Sequence, residues 1–242
     1  MASIKDEAIV LRRLDFSENS QVLAFFTREH GLQRLIAKGI KRGTKKKFAT
    51  GIDLLERGSL VYWRSPGSER SLATLSEWRQ LDLHLGLRNS LKHWYAAHYA
   101  AESTSGVLEE GDPHPRLYDA LGLTLARLST TEPALPEIVR FQCILLQEAG
   151  LWPDLGRCVL CGRIAPPGRS GYFSAHQGGL VCRNCQGPLP EKRLVPAAVL
   201  TALREDRYDE TTVRGAFELL DYMISQSTAR PSTLARHLMV GE

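Results

Sequence analysis

The sequence has no run of about 18 consecutive apolar residues, which a membrane-spanning helix needs. Its first residues, MASIKDEAIVLRRLDF, alternate charged and apolar side chains where a secretory signal would have an unbroken apolar segment. Internal repeats and low-complexity tracts are absent as well. We therefore expect a globular, cytosolic protein (nucleoid-associated if it binds DNA), with no membrane among its partners.

The patterns typical of enzymes are also missing. The stretch GIKRGTKK resembles a phosphate-binding P-loop, but only three residues separate Gly39 from Gly43, and its threonine precedes the lysine. Asp82 and His84 follow a predicted strand, and residues 109–114 form a polar loop, so neither group predicts acid–base catalysis. No nucleophile is paired with a base in sequence. We expect no enzymatic activity.

Cysteine is scarce, with five in 242 residues, and four of them form two C-x2-C motifs. Cys158 and Cys161 are followed, after twenty residues, by Cys182 and Cys185. Two such motifs supply the four-sulfur shell that zinc prefers, and they leave no ligand position for water or substrate. The spacing therefore predicts one structural Zn²⁺.

Other interpretations of these cysteines remain open. A single C-x2-C motif could be a redox pair, although two matched motifs argue against it. An iron–sulfur cluster could use the same four ligands, and His176 could replace one sulfur. Cys143, in RFQCILL, lies on an apolar helical face and is expected to be a buried thiol.

Positive charge is concentrated at one end of the chain. Residues 1–80 contain 15 Lys and Arg against 9 Asp and Glu, a balance of +6, whereas the whole chain carries +4. The segment AKGIKRGTKKK at 37–47 has six basic residues and no acid. It is either a solvated loop or a polyanion site. The candidate contacts are Arg34, Lys38, Lys41, Arg42, Lys45, Lys46 and Lys47, with Arg79, Arg88, Lys92 and His93 as an extension.

Residues 4–80 predict β-structure. Five short runs rich in branched and aromatic residues are separated by Asn, Gly, Pro or Ser: AIVLRRL, SQVLAFFT, LQRLIAKG, SLVYWRS and RSLATLSEW. Five strands in about 80 residues favour a closed OB-type barrel. REHG, which ends at Gly31, predicts a tight turn between the second and third strands.

From about residue 81 the apolar spacing changes to three and four, as in amphipathic helices. We therefore predict an α+β protein: an OB barrel at 1–80, a helical domain at 81–155 and 191–242, and a zinc-binding insert at 156–190. An OB barrel beside a cationic loop is suited to single-stranded nucleic acid, with aromatic side chains stacking on bases. The nearby aromatics, at least half of which should be core, are Phe25, Phe26, Phe48, Tyr62 and Trp63.

The ordered combination of these features resembles the bacterial recombination mediator family RecO. The opening, EAIVLRRLDFSENSQVLAFFTREHGLQRLIAKGIKR, is similar to that family's first strands, glycine turn and basic pair. LWPDLGRCVLCG, the Gly pair before the second C-x2-C motif and the helical tail also fit. The resemblance covers nearly the whole chain.

The resemblance implies a protein of the RecF-type repair pathway that binds single- and double-stranded DNA and anneals complementary strands. It further implies that the protein works with RecR to load RecA onto DNA coated by single-strand-binding protein, whose acidic tail it contacts. It supports Lys38, Lys41 and Arg42 as DNA contacts, whereas the lysines at 45–47 rest on charge alone. The alternatives are a zinc-ribbon protein acting on RNA or in transcription, and a scaffold that binds only proteins.

Overall fold

The structure, a computed structural model, describes residues 3–18, 20–39, 52–64, 72–130 and 133–239. The chain divides into two compact units, the first ending at Thr131 and the second beginning at Glu132. The strands and helices described in the first unit are β1 (Ser3–Ser17), β2 (Ser20–Thr27), β3 (Gly31–Lys38), β4 (Arg57–Trp63), β5 (Ala73–Asp82), α1 (Leu91–Val107) and α2 (Pro115–Leu128).

The strands of the first unit close into a barrel in the order β1-β2-β3-β5-β4. Neighbouring strands are antiparallel except β3 and β5, which run parallel. This five-stranded Greek-key arrangement is that of an OB-fold. The predicted fold class, an N-terminal OB barrel followed by helices and a four-cysteine segment, is confirmed.

Alternation along each strand fills the barrel with apolar side chains. In β2, Leu23 and Phe25 are fully buried in the interior, whereas Val22 and Ala24 lie on the outer surface and are only partly buried. The Phe25 ring lies 5.3 Å from that of Trp78 across the core. Each fully buried side chain of this size stabilises the fold by roughly 1.5–3 kcal/mol, so the inward row of each strand sets its register.

The predicted turn between β2 and β3 is present and ends at Gly31. The backbone of Gly31 is left-handed, with a φ of 64°, a conformation that glycine adopts without steric cost. A Cβ atom at this position would also lie 2.0 Å from the carbonyl oxygen of Asp112. Glycine is therefore required here twice, for its φ and for the close approach of the chain that follows α1.

The two helices of the first unit begin at clear sequence signals. The Ser90 side chain accepts a hydrogen bond of 3.3 Å from the backbone N–H of His93 and so caps α1. Pro115 starts α2, where its missing N–H costs little. Tyr118, on the buried face of α2, contacts Phe26 of β2 with the ring centroids 5.8 Å apart. This contact places α2 against the barrel.

The second unit combines helices with a small sheet. Its antiparallel sheet has the order β7-β6-β8, and the segment containing β6 and β7 was expected only to be loop-rich. α3 and α5 pack against each other. The elements described are α3 (Ala134–Glu148), β6 (Gly171–Ser174), β7 (Gly179–Val181), β8 (Arg193–Val195), α4 (Ala197–Glu205), α5 (Thr212–Thr228) and α6 (Ala235–Met239). Within the described ranges, no helix is long and apolar enough to cross a membrane.

The change from strands to helices falls where the sequence places it, since β5 ends at Asp82. The boundary between the compact units lies farther along, after Thr131. α1 and α2 therefore belong to the same unit as the barrel, whereas the sequence grouped them with the later helices.

Candidate nucleic-acid interface and metal centre

Arg34 and Lys38, two of the predicted basic contacts, lie on the outer surface of β3 and are exposed. Leu35 and Ala37, the alternate residues of the strand, are buried in the barrel core. Since successive side chains of a strand point to opposite faces, Arg34, Ile36 and Lys38 share the outward side. The structure thus brings two of the predicted cations together.

The pairing of β1, β2 and β3 extends this surface into three rows that run across the strands. Two of the rows contain cations, and the row between them is apolar. From one end to the other, the rows are Arg12–Ala24–Arg34, Leu14–Val22–Ile36 and Ser17–Ser20–Lys38. We call these nine residues the basic face. It carries three positive charges and no acidic residue.

Arg34 is the one cation of this face that has an ion pair within the described ranges. Its Nε atom lies 2.5 Å from Oε1 of Glu110. The N–H of Gly111 donates to the carbonyl of Leu32 at 3.0 Å, which holds this segment beside β3. Both charged side chains are more than half exposed, and such surface pairs contribute only about 0.2–1 kcal/mol. A phosphate could therefore displace the carboxylate.

The remaining predicted contacts in the basic segment lie outside the described residues. They begin at the third residue after Lys38, the last residue of β3. Their assignment still rests on the sequence. These residues are Lys41, Arg42, Lys45, Lys46 and Lys47.

Arg79 belongs to a different surface of the barrel. Arg79 of β5 is the cross-strand neighbour of Ser59 in β4, and Ser59 is the cross-strand neighbour of Glu7 in β1. The adjacent row is Lys5–Val61–Glu77. We call these six outward residues the mixed face. An open groove of about 1150 Å³ lies over it, and its lining includes all six residues. Arg79 is therefore surrounded by acids as well as bases.

Ion pairs neutralise much of the charge around the mixed face. Arg57 lies 2.9 Å from Glu7, and Arg28 lies 2.9 Å from both Glu29 and Asp119. Hydrogen bonds from Arg28 lower the pKa of Asp119, against a smaller opposing effect of burial. Acidic and basic side chains therefore alternate around this face, so the potential over it is mixed.

The other three predicted extension residues, Arg88, Lys92 and His93, belong to neither face. Arg88 lies 3.2 Å from Asp53, whose other oxygen lies 2.9 Å from Arg13. One carboxylate thus holds two arginines. Lys92, like its neighbour His93, lies in the first turn of α1 and is partly buried. Arg88 is already engaged, and Lys92 has no ion pair among the described residues.

The aromatic side chains divide as expected, with one addition. Phe25, Phe26 and Tyr62 are buried, and Trp63 is partly buried; Phe48 lies outside the described residues. Phe16, which the sequence did not single out, is 66% exposed near the end of β1. The alternation of Arg12, Leu14 and Phe16 could have indicated it, because residues two apart share a strand face.

The four cysteines of the two C-x2-C motifs converge in the second unit. Their sulfur atoms all lie within 4.8 Å of one another, and those of Cys161 and Cys182 are 3.8 Å apart. A Zn–S distance of about 2.3 Å implies sulfur atoms about 3.8 Å apart in a tetrahedron. The cluster is therefore compatible with zinc, and it is the one such group found in the described residues.

The first motif is shaped by a backbone turn. Gly162 has a φ of 72°, and its N–H donates to the carbonyl of Cys158 at 2.8 Å. Its own N–H is used within the turn, and the N–H of Cys182 reaches the Cys158 sulfur at 3.3 Å. The second motif therefore helps to solvate a sulfur of the first.

These hydrogen bonds set the charge of the cluster. Burial acts to raise the pKa of Cys158, but N–H groups of Cys182, Cys161 and Leu160 outweigh it and lower the pKa to about 6. The N–H of Cys185 lowers the pKa of Cys182. Hydrogen bonds to the sulfurs of Cys182 and Cys161 raise the pKa of Cys185 to about 12. The lowered pKa values of Cys158 and Cys182 favour the thiolate, which is the metal-binding form, whereas Cys185 must release its proton when a cation binds.

Glu191 connects the four-cysteine segment to α5 within the second unit. Its carboxylate accepts hydrogen bonds from Ser174 Oγ at 2.6 Å, from the N–H of Ala175 at 3.2 Å, and from the Tyr222 hydroxyl. The Arg193 guanidinium lies 3.5 Å above the Tyr222 ring. No local pattern indicated this role, because PEKR reads as an exposed loop.

The other candidate ligands are engaged elsewhere. The His176 ring lies 3.2 Å from the side-chain oxygen of Gln226 and is outside the sulfur cluster. Cys143 is half-buried, with its sulfur 3.7 Å from the Tyr208 hydroxyl, and burial raises its pKa to about 11. Cys143 also lies outside the four-sulfur cluster, so we assign it no metal.

Known proteins match this chain along most of its length. The family model described as "Recombination protein O N terminal" matches residues 1–84, and "Recombination protein O C terminal" matches residues 88–233. The DNA repair protein RecO of Alkaliphilus metalliredigens is 34% identical over 185 residues, which cover 76% of this chain and 72% of that protein. The RecO of Rhodopirellula baltica is 32% identical over 199 residues, covering 82% and 73%.

Proposed function

The chain belongs to the RecO family of DNA repair proteins, and from that premise we propose that it is a DNA-binding recombination mediator. In this proposal the protein binds single- and double-stranded DNA and anneals complementary strands. It helps to load RecA onto DNA coated by single-strand-binding protein, together with a RecR-like partner. The acidic tail of the single-strand-binding protein is the second proposed partner.

The observation that carries the DNA-binding role is the basic face. Arg12, Arg34 and Lys38 lie in outward rows with no acidic residue among them. In OB-folds the surface of the second and third strands is the usual site for oligonucleotides. Cations that contact phosphates release counterions, which supplies affinity with little dependence on sequence. We assign phosphate contacts to these three residues and to the basic residues at 41–47.

We further propose a division of labour along the chain. Residues 1–80 bind nucleic acid, residues 81–155 and 191–242 supply the helices, of which α1 and α2 belong to the compact unit of the barrel, and residues 156–190 form a zinc-binding insert. Cys158, Cys161, Cys182 and Cys185 would hold one Zn²⁺. The ion would supply four fixed cross-links to a segment that has only short strands of its own. No free ligand position is left for chemistry.

The proposed role requires no catalytic turnover. The acid–base groups that the sequence offers have structural contacts: the His84 ring lies 2.8 Å from the carbonyl oxygen of Leu55, and His114 lies 3.3 Å from Asp112. Annealing needs only that the protein neutralise and hold two strands. We therefore propose that neither ATP nor any other substrate is consumed.

Strand annealing tests this function. Two complementary oligonucleotides, one with a fluorophore and one with a quencher, are mixed with the protein without ATP. We expect faster quenching than with DNA alone, and a steep decrease of that effect as salt rises. A variant with Arg12 and Lys38 replaced by alanine should lose much of the acceleration. No acceleration at any salt concentration would contradict the mediator function.

A further inference from the structure

The middle row of the basic face is apolar although it points to solvent. Leu14 is 57% exposed, and it pairs with Val22, which pairs with Ile36. Phe16, nearby on β1, is 66% exposed. The barrel core lies on the opposite side of the strands and does not need these side chains. A contiguous apolar group on the surface of a soluble protein commonly marks a binding site.

The helices of the first unit cover β1 only up to the residue before Arg12. Ile9 and Leu11 are almost fully buried although Leu11 belongs to the outer side, and Gly122 of α2 lies close to Ile9. From Arg12 onward every residue of β1 is exposed. The covered part of β1 therefore ends, and its exposed part begins, at the first irregularity in the pairing of β1 with β2, between Val10 and Arg12.

A second irregularity in the pairing of β1 with β2 lies at Phe16. The pairing of β1 with β2 shifts between Asp15 and Ser17, which leaves Phe16 as the extra residue of a bulge. Bulges change the direction of a side chain and are frequent at binding sites. Phe16 therefore lies along β1 between the apolar row of Leu14 and the row that contains Lys38.

The spacing of the rows fits a strand of nucleic acid. Residues two apart on a strand are about 7 Å apart, and neighbouring strands are about 4.8 Å apart. The apolar row is therefore flanked at about 7 Å by Arg12 and Arg34 on one side and by Lys38 on the other. Cations flanking an apolar or aromatic surface match the two chemistries of a single strand, whose phosphates are charged and whose bases have flat apolar faces.

Resting on the proposed DNA-binding function, we propose that Phe16 and Leu14 form a base-contact subsite for single-stranded DNA. The Phe16 ring stacks on one base, the apolar row supports the next, and the flanking cations hold the phosphates on either side. Double-stranded DNA cannot use this subsite, because its bases are stacked within the helix. The subsite therefore gives preference for single strands to a face whose cations alone would bind either form.

An abasic strand isolates this contribution. Affinity is measured for oligo-dT and for a strand of equal length with the same phosphates but no bases. Phe16→Ala should weaken binding to oligo-dT by about tenfold, since base stacking on an aromatic side chain is worth about 1–3 kcal/mol. It should leave binding to the abasic strand unchanged. Lys38→Ala should weaken both strands by the same factor.

Two further variants complete the test. Leu91→Ala is the matched control, because Leu91 is also 66% exposed but lies on α1, and it should change neither affinity. Phe16→Trp keeps a stacking surface, so it should retain oligo-dT affinity and show fluorescence quenching on binding. An unchanged unfolding temperature for Phe16→Ala shows that the fold is preserved.

The outcomes separate this inference from the proposed function. Equal losses on both strands, or no loss on either, for Phe16→Ala would overturn the subsite while the wild-type protein still binds DNA. A Phe16→Ala protein that binds DNA normally but loses a protein partner would assign the apolar row to protein binding. A wild-type protein that binds neither strand would contradict DNA binding itself, and the subsite with it.

Discussion

The basic face and the mixed face belong to the same barrel and differ in what surrounds their cations. On the basic face, Arg12 and Lys38 have no ion pair within the described ranges, and only Arg34 contacts an acid. On the mixed face, Lys5 and Arg79 share their cross-strand rows with Glu77 and Glu7, and beside it Arg57 and Arg28 contact carboxylates. A paired arginine offers little net field to a polyanion. We therefore expect the acids that accompany the cations of a surface, and not the number of cations alone, to decide which surface binds DNA.

The predicted basic residues differ in the same way, by the charges of their neighbours on the barrel surface. Arg34, Lys38 and Arg79 looked alike in the sequence as basic residues within or near strands. The pairing of strands puts Arg79 in one row with Glu7, whereas it puts Arg34 in one row with Arg12. Row neighbours are set by strand register, which local sequence does not reveal.

We expect the largest effect from a change to the metal centre. The experiment tests whether DNA affinity belongs to the barrel. Cys158→Ser removes one of four sulfur ligands, and structural zinc contributes on the order of 10 kcal/mol to small zinc domains. We expect loss of one zinc per chain by metal analysis and early unfolding of the second unit. DNA affinity of the remaining folded protein should change little. A loss of affinity without a loss of stability would assign DNA binding to the cysteine segment.

The basic segment beyond β3 should extend the basic face. Replacing Lys45, Lys46 and Lys47 with alanine removes up to three phosphate contacts, each releasing about 0.7 counterions from single-stranded DNA. We expect weaker binding at low salt and a salt dependence of log affinity that is flatter by up to about 2. Stability should be unchanged.

The control for that triple variant removes three exposed arginines from the second unit. Arg169, Arg207 and Arg230 are exposed, and no ion pair involves them in the part of the chain that the structure describes. Their replacement by alanine changes net charge equally. Identical salt slopes for the two triple variants would reduce the lysine segment to a solvated loop.

Removing the charge of Glu191 should lower the stability of the fold and leave DNA binding unchanged. Burial tends to raise its pKa, but hydrogen bonds from Ser174 and Tyr222 outweigh this and lower it. A lowered folded-state pKa contributes stability above the unfolded value of about 4.3, and this contribution is lost as pH falls through the folded pKa. Glu191→Gln should therefore cost about 1 kcal/mol at pH 7.

Unfolding experiments between pH 7 and pH 3 check the sign of this effect. The stability difference between wild type and Glu191→Gln should be constant from pH 7 to about 5.5 and shrink below about 4.3. DNA affinity at pH 7 should be equal in the two proteins. A difference that grows toward low pH would mean that the carboxylate is not stabilised by its hydrogen bonds.

The smallest effect is expected from releasing one paired arginine on the basic face and one beside the mixed face. Glu110→Gln releases Arg34, so we expect an increase in single-strand affinity of about 1.4- to fivefold, in keeping with a surface ion pair of about 0.2–1 kcal/mol. The matched variant Glu7→Gln releases Arg57 beside the mixed face. Binding titrations at low salt should show an increase only for Glu110→Gln. Equal increases would mean that net charge alone controls affinity.

Much of the fold was predictable because its signals are local. The strands carried apolar residues at alternate positions, REHG had the glycine that a left-handed turn needs, and the spacing of four cysteines indicated one cluster. The outer rows were not predictable. Two shifts in the pairing of β1, after Val10 and after Asp15, change which side chains face outward, and these shifts depend on the partner strand. Glu191 was missed because its role depends on contacts distant in sequence. Local alternation could have indicated that Phe16 is exposed, but its place in a bulge depends on the partner strand.

The central claim is that the basic face, and not the mixed face, binds the DNA backbone. Two double variants of equal net charge test it most directly: Arg12→Ala with Lys38→Ala, and Lys5→Ala with Arg79→Ala. Salt titrations with one single-stranded oligonucleotide should show a slope lower by about 1.4 for the first variant, from two contacts at about 0.7 each. The second should keep the wild-type slope. Equal slopes for both variants, or a lower slope only for the second, would contradict the account.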